Sequence, residues 1–290
     1  MGDKRAAAEE RGRAAAQLMV ADAIRAAAAT LAATSDTPRL DAELLMAHAL
    51  GVSRSDLLLR LVRDPAPQGF FLMVERRAAH EPVAYITGEA EFWGRPFRVT
   101  PATLIPRADS ETLIRAALDL APEAQRVLDL GTGTGALLLT YLAETTATGV
   151  GIDASEGACA VARNNAARLG LSARAAILQR DWTRAGWRDD LGTFDLILCN
   201  PPYVEEGARL DPQVRDYEPA SALFAGADGL DDYRLLIPGL AMLMEASAAA
   251  ILEIGAAQAE PVAALSRREG FTTRPCRDLA GRPRALVLRR

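Results

Sequence analysis

From Val127 onward, the chain alternates short apolar runs with segments of helical spacing, and this rhythm constrains the fold more than any other feature. The apolar runs are RVLDL, TGVGID, ARAAIL, FDLILCN, AAAILEIG and RALVLRR. Runs of strand length separated by helices are typical of βαβ units, whose crossover connections make successive strands parallel. The sequence therefore predicts an α/β fold built on a doubly wound, mostly parallel sheet.

The beginning of the chain has a different, purely helical pattern. Apolar residues recur at three-to-four spacing between residues 14 and 33, as on one face of a helix. Further helix starts are predicted from capping residues and prolines at Thr37-Pro38, Ser53 and Pro67. We expect a small helical domain over residues 1–83, with residues 1–20 as a mobile extension.

Residues 84–100, AYITGEAEFWGRPFRVT, alternate aromatic and β-branched residues around Gly94-Arg95. This pattern predicts a β-hairpin. The predicted organisation is thus a helical domain, a hairpin linker over 84–105, and the α/β domain over 106–290.

Charge and composition narrow the function classes. The chain of 290 residues has 33 basic and 38 acidic residues, and residues 1–85 contain 11 of each, so the net charge of −5 lies in the remainder. Because no basic field is present, direct nucleic-acid binding is disfavoured. No run approaches the length of a membrane span, so no membrane partner is expected. We further expect a monomer.

Cysteine and histidine usage excludes other chemistries. The three cysteines, Cys159, Cys199 and Cys276, are far apart, which supports neither a disulfide framework nor a zinc site, so no metal is expected and a reducing cytoplasm fits best. His48 and His80 are the only histidines. Catalysis through a histidine triad or base is therefore disfavoured.

A glycine-rich loop follows the first predicted strand of the α/β domain. Its residues are Gly131, Thr132, Gly133, Thr134 and Gly135, and a helix follows directly. Glycines in this position permit positive φ and close approach of a ligand, as in a nucleotide-binding crevice. The G-x-G-x-G spacing is neither that of a dinucleotide fold nor that of a P-loop. Pyrophosphate is therefore not the expected ligand.

Acidic and aromatic residues follow the next two predicted strands. Asp153 lies 22 residues beyond Gly131, where a carboxylate can accept both ribose hydroxyls; alternatively, it could cap the following helix. Asp181 and Trp182 follow the third strand, and the indole could lie against an adenine ring or belong to the core.

The most specific motif is Asn200-Pro201-Pro202-Tyr203, directly after the fourth strand. The prolines restrict the backbone, so the Asn200 side chain and the Pro201 carbonyl form a rigid pair of acceptors that can hold an NH₂ group. The lone pair of an amide nitrogen is delocalised. Accepting both of its N–H bonds favours a pyramidal nitrogen with its lone pair turned toward an electrophile, while Tyr203 would pack on the planar group. The alternative is a Pro-Pro turn without chemical function.

These motifs together resemble the class I methyltransferases that use S-adenosylmethionine to modify planar NH₂ groups. Additional blocks are similar to the bacterial release-factor glutamine N5-methyltransferases of the HemK type, in the same order and spacing over roughly residues 38–290. These blocks are EPVAYITGEAEFWG, TLIPRADSETL, NPPYV, GADGLDDYR, LEIGAAQ and RDLAGRPRALVL. The chain departs from the family pattern at Ala108, Ser110 and Ala227.

The resemblance implies a fold, a reaction and a set of site residues. The implied fold is a Rossmann-like sheet of seven strands, and the implied reaction methylates the glutamine of the GGQ motif in peptide-chain release factors, docked by the helical domain. Implied cofactor-binding residues are Gly131 to Gly135, Asp153, Asp181, Trp182 and Asn200. Implied catalytic residues are Asn200, Pro201 and Tyr203, and these with Pro202 are implied to bind the substrate. Arg107 could border the site or be a solvated arginine.

Three alternatives remain open at the level of sequence. A ribosomal-protein glutamine methyltransferase would share the NPPY motif. An adenine-N6 DNA methyltransferase would need the same grip on an NH₂ group, together with base flipping and a basic surface. A nucleotide-binding interaction module would have no use for NPPY at this position.

Overall fold

The computed structural model describes residues 18–290, and the chain divides into two compact units. Among the described residues, the first comprises residues 18–88 with Asp211–Tyr217, and the second comprises Glu89–Leu210 with Glu218–Arg290. Most of the extension predicted over residues 1–20 lies outside the described residues. The domain boundaries at residues 83 and 105 remain predictions.

The first unit is helical, with ends at the predicted capping residues. Its helices are α1 (Val20–Leu31), α2 (Pro38–Leu50), α3 (Arg54–Asp56, continued by a π-helical turn over Leu57–Leu61), α4 (Gln68–Ala78), α5 (Val83–Thr87) and the short α9 (Pro212–Arg215). Gly51 ends α2 in the left-handed conformation, and the Ser53 hydroxyl caps α3 by accepting from Asp56 N. Val20, Ile24, Leu45 and Phe70 are fully buried at the centre of this unit.

The predicted hairpin exists but is shorter than expected. Its strands are β1 (Glu89–Phe92) and β2 (Arg95–Arg98), which pair in antiparallel register around Trp93 and Gly94. Residues 84–87 were expected to begin the first strand, but they belong to α5, which Gly88 terminates in the left-handed conformation. Alternation of β-branched residues over so few positions fits one helical turn as well as a strand.

The second unit contains a seven-stranded sheet with helices on both faces, as predicted. Its strands are β3 (Arg126–Leu130), β4 (Thr148–Asp153), β5 (Ala175–Gln179), β6 (Phe194–Cys199), β7 (Met244–Glu253), β8 (Thr272–Arg277) and β9 (Pro283–Arg289). Its α-helices are α6 (Glu111–Leu120), α7 (Ala136–Glu144), α8 (Glu156–Arg168), α10 (Asp231–Leu243) and α11 (Ala259–Arg268). Short 3₁₀ turns cover Ala108–Ser110 and Ala220–Ala222.

The strand order is β5-β4-β3-β6-β7-β9-β8. Strands β3 to β7 are parallel, whereas β9 is antiparallel to both β7 and β8. The chain winds outward from β3 to β5 and then returns to place β6 on the other side of β3. The boundary between β3 and β6 is therefore the topological switch point, where open α/β sheets bind ligands at the carboxyl ends of their strands.

Alternate residues of each central strand belong to two apolar clusters, one on each face of the sheet. Leu196, Leu198 and Ile251 belong to the cluster that includes α6 and α7, and Ile197 and Leu252 to the cluster that includes α10 and α11. This arrangement explains the continuous apolar runs in the sequence. Within residues 18–290, no helix is both long and apolar enough to cross a membrane.

Candidate active site

The site is built at the carboxyl ends of three adjacent strands. Leu130 at the end of β3 pairs with Ile152 of β4 on one side and with Cys199 of β6 on the other. The residues that follow these partners, Gly131, Asp153 and Asn200, therefore leave the sheet side by side. All three line one cavity at this edge of the sheet, the place where open α/β sheets bind small molecules.

The glycine loop shapes the cavity more than it supplies hydrogen-bond donors. Gly131, Gly133 and Gly135 have φ of +73°, +53° and +82°, a region that favours glycine. Most of the loop's N–H groups donate within the protein: those of Gly131 and Thr132 to Ile152 O, that of Gly133 to Asp153 Oδ2 and that of Gly135 to Thr132 O. A loop with so few donors left suits a nucleoside better than a pyrophosphate.

Asp153 supports the glycine loop and does not cap the following helix. Its Oδ2 accepts from Gly133 N at 2.9 Å, and its Oδ1 accepts from Ser155 N at 2.9 Å. The cap of α8 is instead the Ser155 hydroxyl, which accepts from Ala158 N. Burial raises the pKa of Asp153, and the two N–H donors partly oppose this rise. The capping alternative is thus excluded.

Trp182 lines the cavity against the glycine loop. A Cβ added to Gly131 would lie 3.1 Å from Cη2 of the indole, so the ring packs closely against the backbone of this glycine. The indole Nε1–H donates to Asp232 Oδ1 at 2.7 Å, which fixes the ring plane. A fixed, partly exposed indole at this position presents a flat apolar surface to the cavity.

Asn200 lines the cavity beside the glycine loop. Its Nδ2 donates to Ser110 Oγ at 3.4 Å, and Oδ1 has no hydrogen-bond donor among the described residues. In this amide orientation Oδ1 is left as an acceptor. Pro202 also lines the cavity.

Four of the predicted residues lie outside the cavity lining: Gly135, Asp181, Pro201 and Tyr203. Asp181 accepts from the backbone N–H and the hydroxyl of Thr183 and pairs with Arg184, so its carboxylate stabilises the turn that follows β5. Pro201 is buried and does not line the cavity, unlike its neighbour Pro202. Tyr203 packs against the apolar cluster of α10 and α11, and its hydroxyl donates to Glu253 Oε1 at 3.3 Å. The structure therefore does not place the Tyr203 ring against a planar group in the cavity.

Arg107 lines the cavity and is not simply a solvated arginine. Its guanidinium pairs with Glu218, whose side chain is almost fully buried, and Glu218 Oε2 also accepts from Ile105 N at 3.1 Å. One buried carboxylate thus anchors both Arg107 and the segment that precedes it.

Comparisons with known proteins agree with this geometry. Residues 22–88 match the family described as PrmC N-terminal domain, and residues 122–257 match a methyltransferase domain family. A release factor glutamine methyltransferase of Cereibacter sphaeroides is 44% identical over 281 residues, which cover 94% of this chain and 99% of that protein. The chain belongs to the release factor glutamine methyltransferase family. A second member, from Bradyrhizobium diazoefficiens, is 40% identical over 91% of this chain and 92% of its own length.

The fold of this family member is shared by distant solved structures. The hMettl16 catalytic domain, solved in complex with a MAT2A 3′UTR hairpin, has a TM-score of 0.55 and 17% identity, covering 74% of this chain and 82% of that one. At this identity the likeness extends to the fold alone. It confirms the class I methyltransferase architecture that the sequence predicts.

Two sequence blocks that are distant in the chain contact the NPPY segment, Asn200 to Tyr203, at Tyr203. Gln258 of the LEIGAAQ block donates through Nε2 to Tyr203 O at 3.0 Å. Gly229 of the GADGLDDYR block has φ +68° and approaches Tyr203 O so closely that an added Cβ would lie 2.3 Å from it. These contacts explain why the blocks occur together, although the sequence alone gives no local signal of their contact.

The arrangement of possible metal ligands is the last feature of the site. Over residues 18–290, no three His, Cys, Asp or Glu side chains are grouped as metal ligands.

Proposed function

We propose that this protein transfers a methyl group from S-adenosylmethionine to the side-chain amide nitrogen of the glutamine in the GGQ motif of peptide-chain release factors. The observation that carries the proposal is the Asn200 amide, whose Nδ2 is held by Ser110 and whose Oδ1 is left as an acceptor at the cavity. An acceptor fixed at this position suits an NH₂ group. The family membership supports a release-factor glutamine as its source.

The residues around the glycine loop fit the nucleoside part of S-adenosylmethionine. A Cβ added to Gly133 would meet no atom within 4 Å, so the loop faces open space that a ligand can fill. Asp153 would accept the ribose hydroxyls, and Trp182 with Gly131 would flank the adenine. When bound, S-adenosylmethionine supplies an electrophilic methyl group on a positively charged sulfur.

Asn200 would hold the glutamine amide at the cavity, and the carbonyl of Pro201, which lies in the chain between the cavity-lining Asn200 and Pro202, would be the second acceptor. Both are acceptors, so they can take one N–H bond each from the substrate nitrogen. That arrangement turns the nitrogen lone pair toward the electrophile, and the prolines restrict the backbone in advance. Neither His48 nor His80 lines the cavity, so the proton is proposed to leave to water after the methyl group arrives.

The helical unit is proposed to dock the release factor. Asn200 recognises only an amide, and every exposed glutamine has one, so specificity requires contacts elsewhere. Leu59 and Leu72 are 79% and 65% exposed on this unit, which leaves apolar surface for a protein partner. The reaction would occur in the cytoplasm, where release factors act and where the three free cysteines would stay reduced.

The test is a methyl-transfer assay on three substrates with labelled S-adenosylmethionine. We expect methylation of release factors and none of a ribosomal-protein extract or duplex DNA. Asn200→Ala is the matched negative variant, and Asn164→Ala, which changes an exposed asparagine on α8, is the control. Preferential methylation of a ribosomal protein or of adenine would overturn the proposed substrate.

A further inference from the structure

Glu253 is a buried acidic residue that the proposed mechanism does not yet use. It ends β7 and is 1% exposed. Cys199 pairs with Leu252 across β6 and β7, so the residues that follow them, Asn200 and Glu253, are neighbours at the same edge of the sheet. A carboxyl group is costly to bury without a full set of partners, and such groups concentrate at functional sites.

Glu253 is surrounded by donors that connect it to the NPPY segment. Tyr203 donates its hydroxyl to Oε1 at 3.3 Å. Ser110 is close enough to lower the pKa of the carboxyl as a donor, yet Oε2 completes no hydrogen bond of good geometry. Ser110 in turn accepts from Asn200 Nδ2 at 3.4 Å. Ser110 therefore lies between the Glu253 carboxyl and the side chain of Asn200, which lines the cavity.

Other groups also face this carboxyl and set its charge. Arg284 lowers its pKa and Asp109 raises it, and these two residues pair with each other at 2.8 Å. Tyr233 donates to the backbone oxygen of Glu253 at 2.7 Å, and the buried Cys199 thiol lies on the adjacent strand. Burial is the largest influence and raises the pKa of Glu253 to about 7.

We propose that the Glu253 carboxylate is a positioning residue that orients the Asn200 amide through Ser110. The inference rests on the proposed function. Two links of the chain are formed, Asn200 N–H to Ser110 Oγ and Tyr203 O–H to Glu253. With Glu253 ionised, we infer that the Ser110 O–H turns toward the carboxylate and completes a chain with a single direction. This direction leaves Asn200 Oδ1 as the acceptor presented to the substrate NH₂.

Protonation of Glu253 would reverse the direction of the chain. A protonated carboxyl can donate to Ser110 Oγ, which frees the Ser110 hydrogen to point toward Asn200. The Asn200 amide would then be favoured in the opposite orientation, with its NH₂ toward the substrate NH₂. Two sets of donors facing each other cannot bond, so the acceptor pair would be lost.

The test compares single-turnover rates on intact release factor across about pH 6 to 9. We expect an acid limb near pH 7 in the wild type. Glu253→Gln should be about 10- to 100-fold slower, as for other groups that orient functional side chains, and should lack this limb. Ser110→Ala should be similarly slow, and Ser110→Thr, which retains a hydroxyl, should restore the rate.

Thr112→Val is the matched control. Thr112 lies two residues from Ser110, is equally buried, and its hydroxyl has no hydrogen-bond partner, so its removal should leave rate and pH profile unchanged. Wild-type rates and an intact acid limb in Glu253→Gln would overturn the inference. If that variant did not fold, equal rates in Ser110→Ala and Ser110→Thr would also overturn it. A wild-type enzyme that left release factor unmethylated would instead contradict the proposed function.

Discussion

Replacing Asp153 with alanine should weaken S-adenosylmethionine binding more than it weakens the fold. The carboxylate accepts two backbone N–H bonds of 2.9 Å each, from Gly133 and Ser155, and it would accept the ribose hydroxyls. A hydrogen bond to a charged group contributes about 1.5–3 kcal/mol. Losing the ribose contact should therefore raise Kd about 10- to 100-fold, since about 1.4 kcal/mol corresponds to a factor of ten.

Asp195→Ala is the matched control for this change. The Asp195 carboxylate also accepts two backbone N–H bonds, from Gln125 at 2.9 Å and Arg126 at 2.8 Å, but at the amino-terminal edge of β3. Both variants should lose comparable stability in thermal unfolding, whereas only Asp153→Ala should lose affinity in titration calorimetry. Wild-type affinity in folded Asp153→Ala, or an equal loss in Asp195→Ala, would refute this reasoning.

Three further predictions concern catalysis, docking and stability. Asn200→Ala should lower kcat about 10²- to 10³-fold, as expected for one preorganised transition-state partner, with little change in S-adenosylmethionine affinity; a wild-type single-turnover rate would argue against the acceptor pair. The double variant Leu59→Ser, Leu72→Ser should lower kcat/KM for intact release factor about tenfold or more, because each leucine contributes about 1.5 kcal/mol or more when it is buried against a partner. Its activity on a short GGQ peptide should not change. The control is Leu279→Ser, which alters a leucine that is 90% exposed on the other unit. Burial raises the pKa of Asp129 from 3.8 to about 7, so the stability that its protonated form contributes is present below the unfolded value and is lost as pH rises through 7. From this group the free energy of urea unfolding should fall by up to about 1.4 kcal/mol per pH unit between about pH 5 and about pH 7 and level off above that, and Asp129→Asn should show a shallower slope.

Much of the fold follows from local sequence patterns. Strand β3 at Arg126–Leu130 and helix α2 at Pro38–Leu50 have the predicted ends, because burial on both faces and capping leave clear local signals. Strand β8 (Thr272–Arg277) has no such signal, since it is a largely exposed strand at the edge of the sheet without an apolar run. Residues 84–87 were wrongly assigned to a strand because their pattern is too short to distinguish the two periods.

The site was only partly predictable, for a different physical reason. Asp153, Trp182 and Asn200 follow strand ends, and parallel strands bring their ends to one edge of the sheet. Asp181 lies one residue from Trp182 and Tyr203 three residues from Asn200, but side chains so close in the chain can point in different directions, and neither residue lines the cavity. Glu253 depends on the register of β6 with β7, a non-local pairing that no short motif encodes.

The pairing of β6 with β7, which places Glu253 beside Asn200, also changes the expected pH dependence of the reaction. Sequence alone predicts a rate nearly flat across about pH 6.5 to 8.5, because no histidine lies in the motifs. A buried Glu253 with its pKa raised to about 7 introduces an acid limb instead. The difference arises from burial, which a sequence motif does not reveal.

The most direct test of the central claim is to map the methylated atom. Intact release factor would be incubated with the protein and isotopically labelled S-adenosylmethionine, digested, and sequenced by tandem mass spectrometry. We predict one labelled methyl group on the side-chain amide nitrogen of the GGQ glutamine, and none in a parallel reaction with Asn200→Ala at matched time. A methyl group on another residue, or an unmodified GGQ glutamine after full incubation with wild-type protein, would contradict the account.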